Sequence, residues 1–476
     1  MRLSTHLLRA RSYIATLCGF LLALAIVLHI ERHQPPPPIP LTLQTLGGDF
    51  PQLPATRGLT FQEAIWARIA WQYFINNTQP SGLVNAVDRQ PYASLWSSGD
   101  QLMALMAAQR LGIIGQAELD RRLDATLQAL AALPRSAQRM PWQYYHSATL
   151  QPLSPQTDDG VTWSANDIGR LLSALQICAA RYPEHGAAIN RLLADWPLAQ
   201  MFRQRPYAPF ALRDTPRWRL IGLNDRPGLG YRLYAQATLG GITPSAAVTL
   251  QQPLSDQPTV NIDGMVLPYD ALITLRQTDH PLIFVQPYIL AALEYGFSLD
   301  NAAVTWRMVL AQESRYNPQT GKNFIFDDRE SPTLAALSVR PTTTPPPLLF
   351  SAKAAFGWYA LLGTPWSERQ RQQVLPLLQP GRGWHDGLRL DGSVSPTLSA
   401  ATNALILESL LYQIQGPLRC AYCQPDDPPL SAPCGNTDAI RNAYVTAHAA
   451  PTFPPAPDRL AVAGAAADPG RRRRAS

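Results

Sequence analysis

The sequence predicts an all-α chain built as a closed ring of helical hairpins. Three observations carry this. Segments with apolar residues at helical spacing follow one another largely in pairs, some eleven helices in all. Helices made of small and apolar residues alternate with amphipathic ones, so the pairs have an inner and an outer member. Loops rich in Trp, Asp and Gly lead into the inner members. In residues 381–393, GRGWHDGLRLDGS runs directly into SPTLSAATNALILESLLY at 395–412, a helix apolar nearly all round. A ring places such lead-in loops together on one face; a simple bundle does not.

The chain of 476 residues is long enough for one large domain with appendages. Its formal charge of +6 is a terminal effect. Arg2, Arg9 and Arg11 stand at one end and Arg471 to Arg474 at the other, and without these seven the remainder carries −1. That excludes the basic footprint of a nucleic-acid binder. Eleven Trp and 17 Tyr serve a large core and equally suit stacking on sugar rings.

Residues 13–30, YIATLCGFLLALAIVLHI, are uncharged and have the length of a membrane span, roughly 17 to 25 residues. The arginines ahead of the run place the N-terminus in the cytoplasm. The expectation is a single-pass bacterial inner-membrane anchor over 1–33 with the body in the periplasm. A cleaved signal peptide is the competing reading, but no small-x-small site follows the run. Residues 34–59 begin with QPPPPIP, a stiff spacer.

The body spans 60–418. Thr60-Phe61-Gln62-Glu63 reads as a capping box before a helix over 64–76. Helices follow at about 97–111 and 116–133, a hairpin broken by Gly112 and Gly115. An aromatic loop at 141–159 precedes helices at 165–180 and 185–193. Residues 201–282 are the least helical third, with a short helix near 231–239. A candidate hairpin pairs 259–262 with 265–267 around Asp263-Gly264. Helices return at 281–295, 301–314, 351–362, 368–378 and 397–413. The inner members are those with Ser98, Ser164, Ser351 and Ser399 at their starts; 116–133 and 368–378 are outer. Residues 419–476 form a Cys-containing, Pro/Ala-rich tail expected to be disordered. Its Cys420, Cys423 and Cys434 allow a disulfide in an oxidising compartment, or less readily a zinc site with His448.

The distinctive polar residues concentrate at the inner-helix starts. Asp158, Asp159 and Trp163 come before one, with Asn166 and Asp167 in its first turn. Trp96 and Asp100 bracket another. Tyr288 and Glu294 lie on the helix after Pro281. Asp327, Asp328 and Glu330 share a loop, and Trp384, His385, Asp386 and Asp391 precede the last helix. Any single acid there is equally a helix-dipole partner. The recurrence of Trp with Asp points to paired carboxylates acting on a glycosidic bond, one protonated and one ionised, with aromatic rings as subsites. Asp159, Asp167 and Asp386 are the first acid/base candidates, followed by Asp100 and Glu294. Trp96, Trp163, Tyr288, Trp358 and Trp384 are the substrate-binding candidates. This chemistry requires neither metal nor cofactor. No GxSxG, HExxH, Walker or GxGxxG-helix motif offers an alternative. His146 and His385 read as loop hydrogen-bonding residues, and Asn403 and Glu408 as structural residues of the last helix.

YFINNTQPSGLVNAV, YASLWSSGDQLMALMAAQRLGII, WSANDIGRLLSALQI, GWHDGLRLDGS and TNALILESLLYQIQGPL together resemble a bacterial envelope family of unknown function, of the DUF3131 type. They are also similar to glucoamylase-like proteins related to β-1,2-glucan-acting enzymes. The resemblance covers about 60–418 and is weakest over 201–282. It implies an (α/α)6 toroid, a periplasmic setting and a polysaccharide or oligosaccharide ligand. Members of this family often accompany exopolysaccharide or cellulose machinery. The resemblance supplies no catalytic residue. The function expected is therefore a membrane-anchored glycoside hydrolase. The alternatives are a non-catalytic glycan-guiding component of an export system, in contact with exopolysaccharide synthesis proteins, and a structural scaffold.

Overall fold

The computed structural model describes residues 19–24, 50–136, 139–153, 161–198, 210–214, 217–221, 259–268, 283–297, 299–315 and 348–418. The helix expected near 231–239, the Cys420–Cys423–Cys434 cluster, Asp159 and the 327–330 acids lie outside these. Of the apolar run 13–30, residues 19–24 are described and are helical. Among the described residues no helix is long and apolar enough to cross a membrane.

The described body is mostly helical, with a few very short strands. Outer and inner helices alternate along the chain. The outer set is α1 (Phe61–Asn77), α3 (Gln116–Ala132), α5 (Gly186–Ala194), α7 (Leu299–Arg315) and α9 (Pro365–Gln372). The inner set is α2 (Leu95–Arg110), α4 (Ala165–Arg181), α6 (Gln286–Tyr295), α8 (Ala352–Leu362) and α10 (Ala400–Gln415). The inner helices pack side by side, α4 on α2, α2 on α10, α10 on α8 and α8 on α6. Each outer helix covers the inner one beside it. In α2 every residue from Leu95 to Ala108 is buried except Trp96, which is half-buried. The amphipathic α3 buries one stripe, including Leu119, Leu123, Leu127 and Leu130.

The starts of the inner helices share one chemistry. Ser94, Ser164, Ser351 and Ser399 are extended N-caps of α2, α4, α8 and α10. Each side chain accepts the N–H three residues on, from Ser97, Asp167, Ala354 and Thr402. The sequence expectation placed the first of these starts at Ser98, one turn too late. The capping box at Thr60 is present. Its hydroxyl accepts from the Glu63 N–H, and the Thr60 N–H donates back to the Glu63 carboxylate at 2.8 Å. Arg57 then pairs with Glu63 and reaches Gln413 of α10, holding the Glu63 carboxyl down at about 2 against the opposing effect of burial.

What reads in the sequence as loop ahead of the inner helices is short β-structure. β1 (Tyr92–Ser94) pairs antiparallel with β2 (Tyr144–His146) and runs into α2. β3 (Val161–Ser164) runs into α4 and forms a three-stranded sheet with β4 (Phe210–Asp214) and β5 (Arg217–Ile221). The expected hairpin is present as β6 (Thr259–Ile262) and β7 (Met265–Pro268), turned by Asp263 and Gly264 at φ 51° and 87°. β8 (Leu348–Ser351) runs into α8. Of the remaining strands, β9 (Leu378–Gln379) pairs with β10 (Gly383–Trp384), and β11 (Gly387–Arg389) pairs with β8.

One predicted helix is cut short. The span expected at 368–378 ends at Gln372 and is followed by a 3-10 turn, Leu375–Leu377. Pro376 causes this, because its ring would meet the carbonyl of Gln372 and it has no N–H to continue the helix.

Candidate active site at the start of the inner helices

Asp167 is the candidate acid that the fold leaves at the rim of the ring. It sits in the first turn of α4, one turn above the ring interior, and is 9% exposed. The Ser164 hydroxyl, having accepted the Asp167 N–H, donates to its Oδ2 at 2.6 Å. Gln143, just ahead of β2, donates to the same oxygen through Nε2 at 3.1 Å. The Trp96 N–H also bonds the carboxylate. These bonds favour the ionised form, yet burial outweighs them and raises the carboxyl to about 6. All of these bonding partners are neutral. Half-buried Trp96 and Tyr144 stand beside it; Tyr144 packs edge-on to Tyr92 at 6.3 Å between centroids.

One turn deeper lies a second charged group. Arg170, about 4.5 Å further along α4 by helix rise, is fully enclosed and meets three carboxylates from three other inner helices. Its Nε donates to Asp100 Oδ1 of α2 at 2.8 Å, one terminal nitrogen to Glu294 Oε1 of α6, and the other to Glu408 Oε1 of α10 at 2.9 Å. Ser173 donates to Glu294 Oε2 at 3.0 Å. From α8, buried Lys353 bonds Gln286 Oε1 at 3.1 Å and acts on Asp100. Arg170 also lies 5.9 Å from the Trp96 ring centre, which ties this knot to the rim above. Close approach of α2 and α4 depends on Gly99, where a Cβ would stand 2.9 Å from Arg170 Cγ. Burial raises the Asp100 and Glu408 carboxyls; Arg170 opposes both shifts.

The candidates therefore separate. Asp167 and Trp96 are brought together at the rim. Asp100 and Glu294 are drawn into the knot, where each accepts from Arg170 away from the rim. Asp386 also lies away from the rim. It is fully buried and accepts from the Ser399 hydroxyl at 2.5 Å and the Thr402 hydroxyl at 2.6 Å, which fastens the lead-in loop to the start of α10. Among the aromatics, Trp163, Trp358 and Trp384 are at most 1% exposed, so none offers a face to a sugar. Trp384 packs edge-on against Trp66 and Phe356, and its main chain is clamped by Asn403, which accepts its N–H at 2.9 Å and donates to its carbonyl. Tyr288 is 5% exposed. Asp159 lies outside the described residues.

Asn403 and Glu408 are structural, as their setting in an apolar helix implied. His146 Nδ1 accepts from the Ala148 and Thr149 N–H groups at 3.3 Å, the loop role expected of it. Half-buried His385 is pushed below the usual histidine range by burial. Arg170 is the residue that sequence reasoning missed. The available signal was an arginine in the middle of SANDIGRLLSALQI, a helix otherwise fit for full burial.

A separate recess of about 360 Å³ lies between α1 and α3, lined by Trp71, Ile75, Arg121 and Arg122. Among the described residues no carboxylate lines it.

Comparison with known proteins places the chain in a family. The profile described as "Protein of unknown function (DUF3131)" matches residues 65–327 and 325–416. No curated protein sequence matches. Among solved structures, the chain is similar to an endo-β-1,2-glucanase from Chitinophaga pinensis, solved with sophorotriose and glucose. The TM-score is 0.56 at 14% identity, covering 76% of this chain and 94% of that one. It is similar to a putative glucoamylase from Bacteroides caccae, with TM-score 0.55, 12% identity, and 75% and 94% covered. It is similar to a β-1,2-glucanase from Parabacteroides distasonis, with TM-score 0.54, 12% identity, and 74% and 56% covered. At these identities the likeness is one of fold, and the fold is the helical ring of glucoamylase-like proteins.

Proposed function

The chain belongs to the family described as Protein of unknown function (DUF3131), and we propose that it is a polysaccharide-acting hydrolase with Asp167 as its proton donor. The observation that carries this reading is a carboxyl at an inner-helix start, beside half-buried Trp96 and Tyr144, held at about 6 by burial against neutral partners. A donor of that strength is about one-tenth protonated at neutral pH and half protonated at pH 6, a useful range for protonating a leaving oxygen. Trp96, and Tyr144 with it, is the stacking surface of this reading. Asp159, close before β3 in sequence, is its candidate partner carboxylate. The glucanase folds above make β-1,2-glucan the first substrate to try. The apolar run 13–30 supports an inner-membrane anchor with the body in the periplasm.

The test is incubation of the purified protein with β-glucans of different linkage while reducing ends are counted. Asp167→Asn is expected to lower turnover about 100-fold or more and to leave oligosaccharide binding in place. Release of reducing ends by Asp167→Asn at the wild-type rate would remove Asp167 from the mechanism.

One observation favours a second reading, a glycan-guiding component without hydrolysis. Asp100, Glu294, Glu408 and Asp386 are all committed to ion pairs or hydroxyl bonds inside the ring. That leaves Asp167 without a second free carboxylate among the described candidates. Glucan binding by calorimetry with no new reducing ends would select this reading.

A further inference from the structure

Two neighbouring arginines on α3 have opposite settings. Arg122 is fixed. It donates to Glu118 at 2.9 Å and to the Thr78 hydroxyl at 3.3 Å, and its guanidinium lies 5.3 Å from the Trp71 ring centre. Arg121 is exposed and has no hydrogen bond or ion pair among the described residues. The acids along the same helix are engaged elsewhere. Glu118 is held by Arg122, and Asp120 and Asp124 each lie 3.1 Å from a ring nitrogen of His185. Arg121 therefore brings an unmatched positive charge to the recess of about 360 Å³ between α1 and α3.

The interior of the recess decides what can accompany that charge. Its buried walls are Trp71, Phe74, Val84 and Leu105, with the Gln101 amide among them. That amide is fully used. Oε1 accepts the Val84 N–H at 2.9 Å, and Nε2 donates to the Gly82 carbonyl at 2.8 Å and to the Thr126 hydroxyl at 2.7 Å. A sugar hydroxyl needs an acceptor as well as a donor, and the buried acceptors here are taken. Nor does Trp71 offer a sugar its face, since Phe74 stacks on it at 5.6 Å, Arg122 lies over it, and it is 3% exposed. What the lining keeps unused is N–H donors. Arg121, the Trp71 indole and the Gln79 amide have no acceptor among the described residues. Donors above apolar walls suit an anion on an apolar body, and the edges of Trp71 and Phe74 favour an aromatic one. The volume is about twice the roughly 150 Å³ that takes one benzene ring.

We propose that this recess binds a free aromatic monocarboxylate, with its ring among Trp71, Phe74 and Leu105 and its carboxylate on Arg121. The recess shares no lining residue with the rim around Asp167. Its test reads binding rather than turnover, so its failure would leave the hydrolase reading untouched.

Calorimetric titration of the full-length protein with 3-phenylpropionate tests this, with 3-phenylpropan-1-ol as the uncharged counterpart. The acid is expected to bind with a Kd of about 1 mM or below. The alcohol is expected to bind about fivefold or more weakly. Arg121→Gln is expected to bring the acid down to the level of the alcohol. Ile75 lines the same recess and is 46% exposed, so a polar residue is tolerated there without loss of the fold. Ile75→Glu sets a carboxylate against the ligand's own and is expected to abolish binding of the acid. Absence of saturable binding of the acid up to about 10 mM, equal binding of acid and alcohol, or an unchanged affinity in either variant would overturn the proposal.

Discussion

Asp167 and Arg170 stand three residues apart on α4, and the protein treats them in opposite ways. At the rim, Asp167 is bonded by a serine hydroxyl, a glutamine amide and main-chain N–H groups, and burial wins over all of them. One turn below, Arg170 is matched by charged partners drawn from three other inner helices. Neutral donors hold a carboxylate in place yet leave its proton available near pH 6. Ionic partners consume the charge and turn the residue into a joint. An acid beside an inner-helix start is thus informative only when its partners are known, as Asp386 also shows.

The largest effect expected is at the joint. Arg170→Met would leave Asp100, Glu294 and Glu408 together without their cation. Removing one partner of a buried ion pair costs about 3–5 kcal/mol, a large share of a typical stability of about 5–15 kcal/mol. The variant is expected to be mostly unfolded or insoluble by circular dichroism and size exclusion at pH 7. A well-folded Arg170→Met would mean that the carboxyls are already neutral and the joint dispensable.

The next effect has the opposite sign and belongs to the rim. Asp167 is raised from an ordinary 3.8 to about 6 in the folded protein. The folded state therefore holds the proton more tightly than the unfolded chain does. The associated stability is complete below pH 4 and is lost as pH rises through 6. The full span is about 3 kcal/mol. Asp167→Asn removes the buried charge and is expected to stabilise the fold by about 1–3 kcal/mol at pH 7–8, less whatever the amide loses in hydrogen bonds. The gain is expected to vanish below pH 4. Denaturant titrations at pH 4 and pH 8 measure it, and a variant less stable than wild type at pH 8 would break the contrast between rim and joint.

These two regions were unequally legible in the sequence. The ring itself was plain, since small-residue and amphipathic helices alternate and serine starts mark the inner ones. Asp167 was legible through the spacing Ser164-x-x-Asp167, which is both a cap and a hydrogen bond. Arg170 was not. Its partners lie 70, 124 and 238 positions away, and no local pattern brings such distances together. The aromatic candidates failed for a related reason. Trp384 sits in a loop that reads as decorated and exposed, but Asn403 of α10 clamps its main chain and turns the ring into the core. Strands of two or three residues, such as β1 and β10, are too short to show alternation, so they read as loop, whereas the β6–β7 hairpin is legible through its Asp263-Gly264 turn.

The smallest effect separates a cap from a tuning residue. Ser94→Ala and Ser164→Ala each remove an N-cap from an inner helix, at a cost of about 1 kcal/mol. Ser94 caps α2 through the Ser97 N–H at 2.9 Å and has no bond to Asp167 among those described. Ser164 also donates to Asp167 Oδ2 at 2.6 Å, a bond that favours the ionised carboxylate. Its loss is expected to raise Asp167 above its present value of about 6. If Asp167 supplies the proton, the alkaline limb of the pH–activity profile moves up by about half a pH unit to one in Ser164→Ala and stays in place in Ser94→Ala. Equal melting losses with a shift in Ser164→Ala alone would tie the cap to the chemistry. A shift in both variants would mean that the rim responds to helix fraying in general, and a shift in neither would detach Asp167 from the limb.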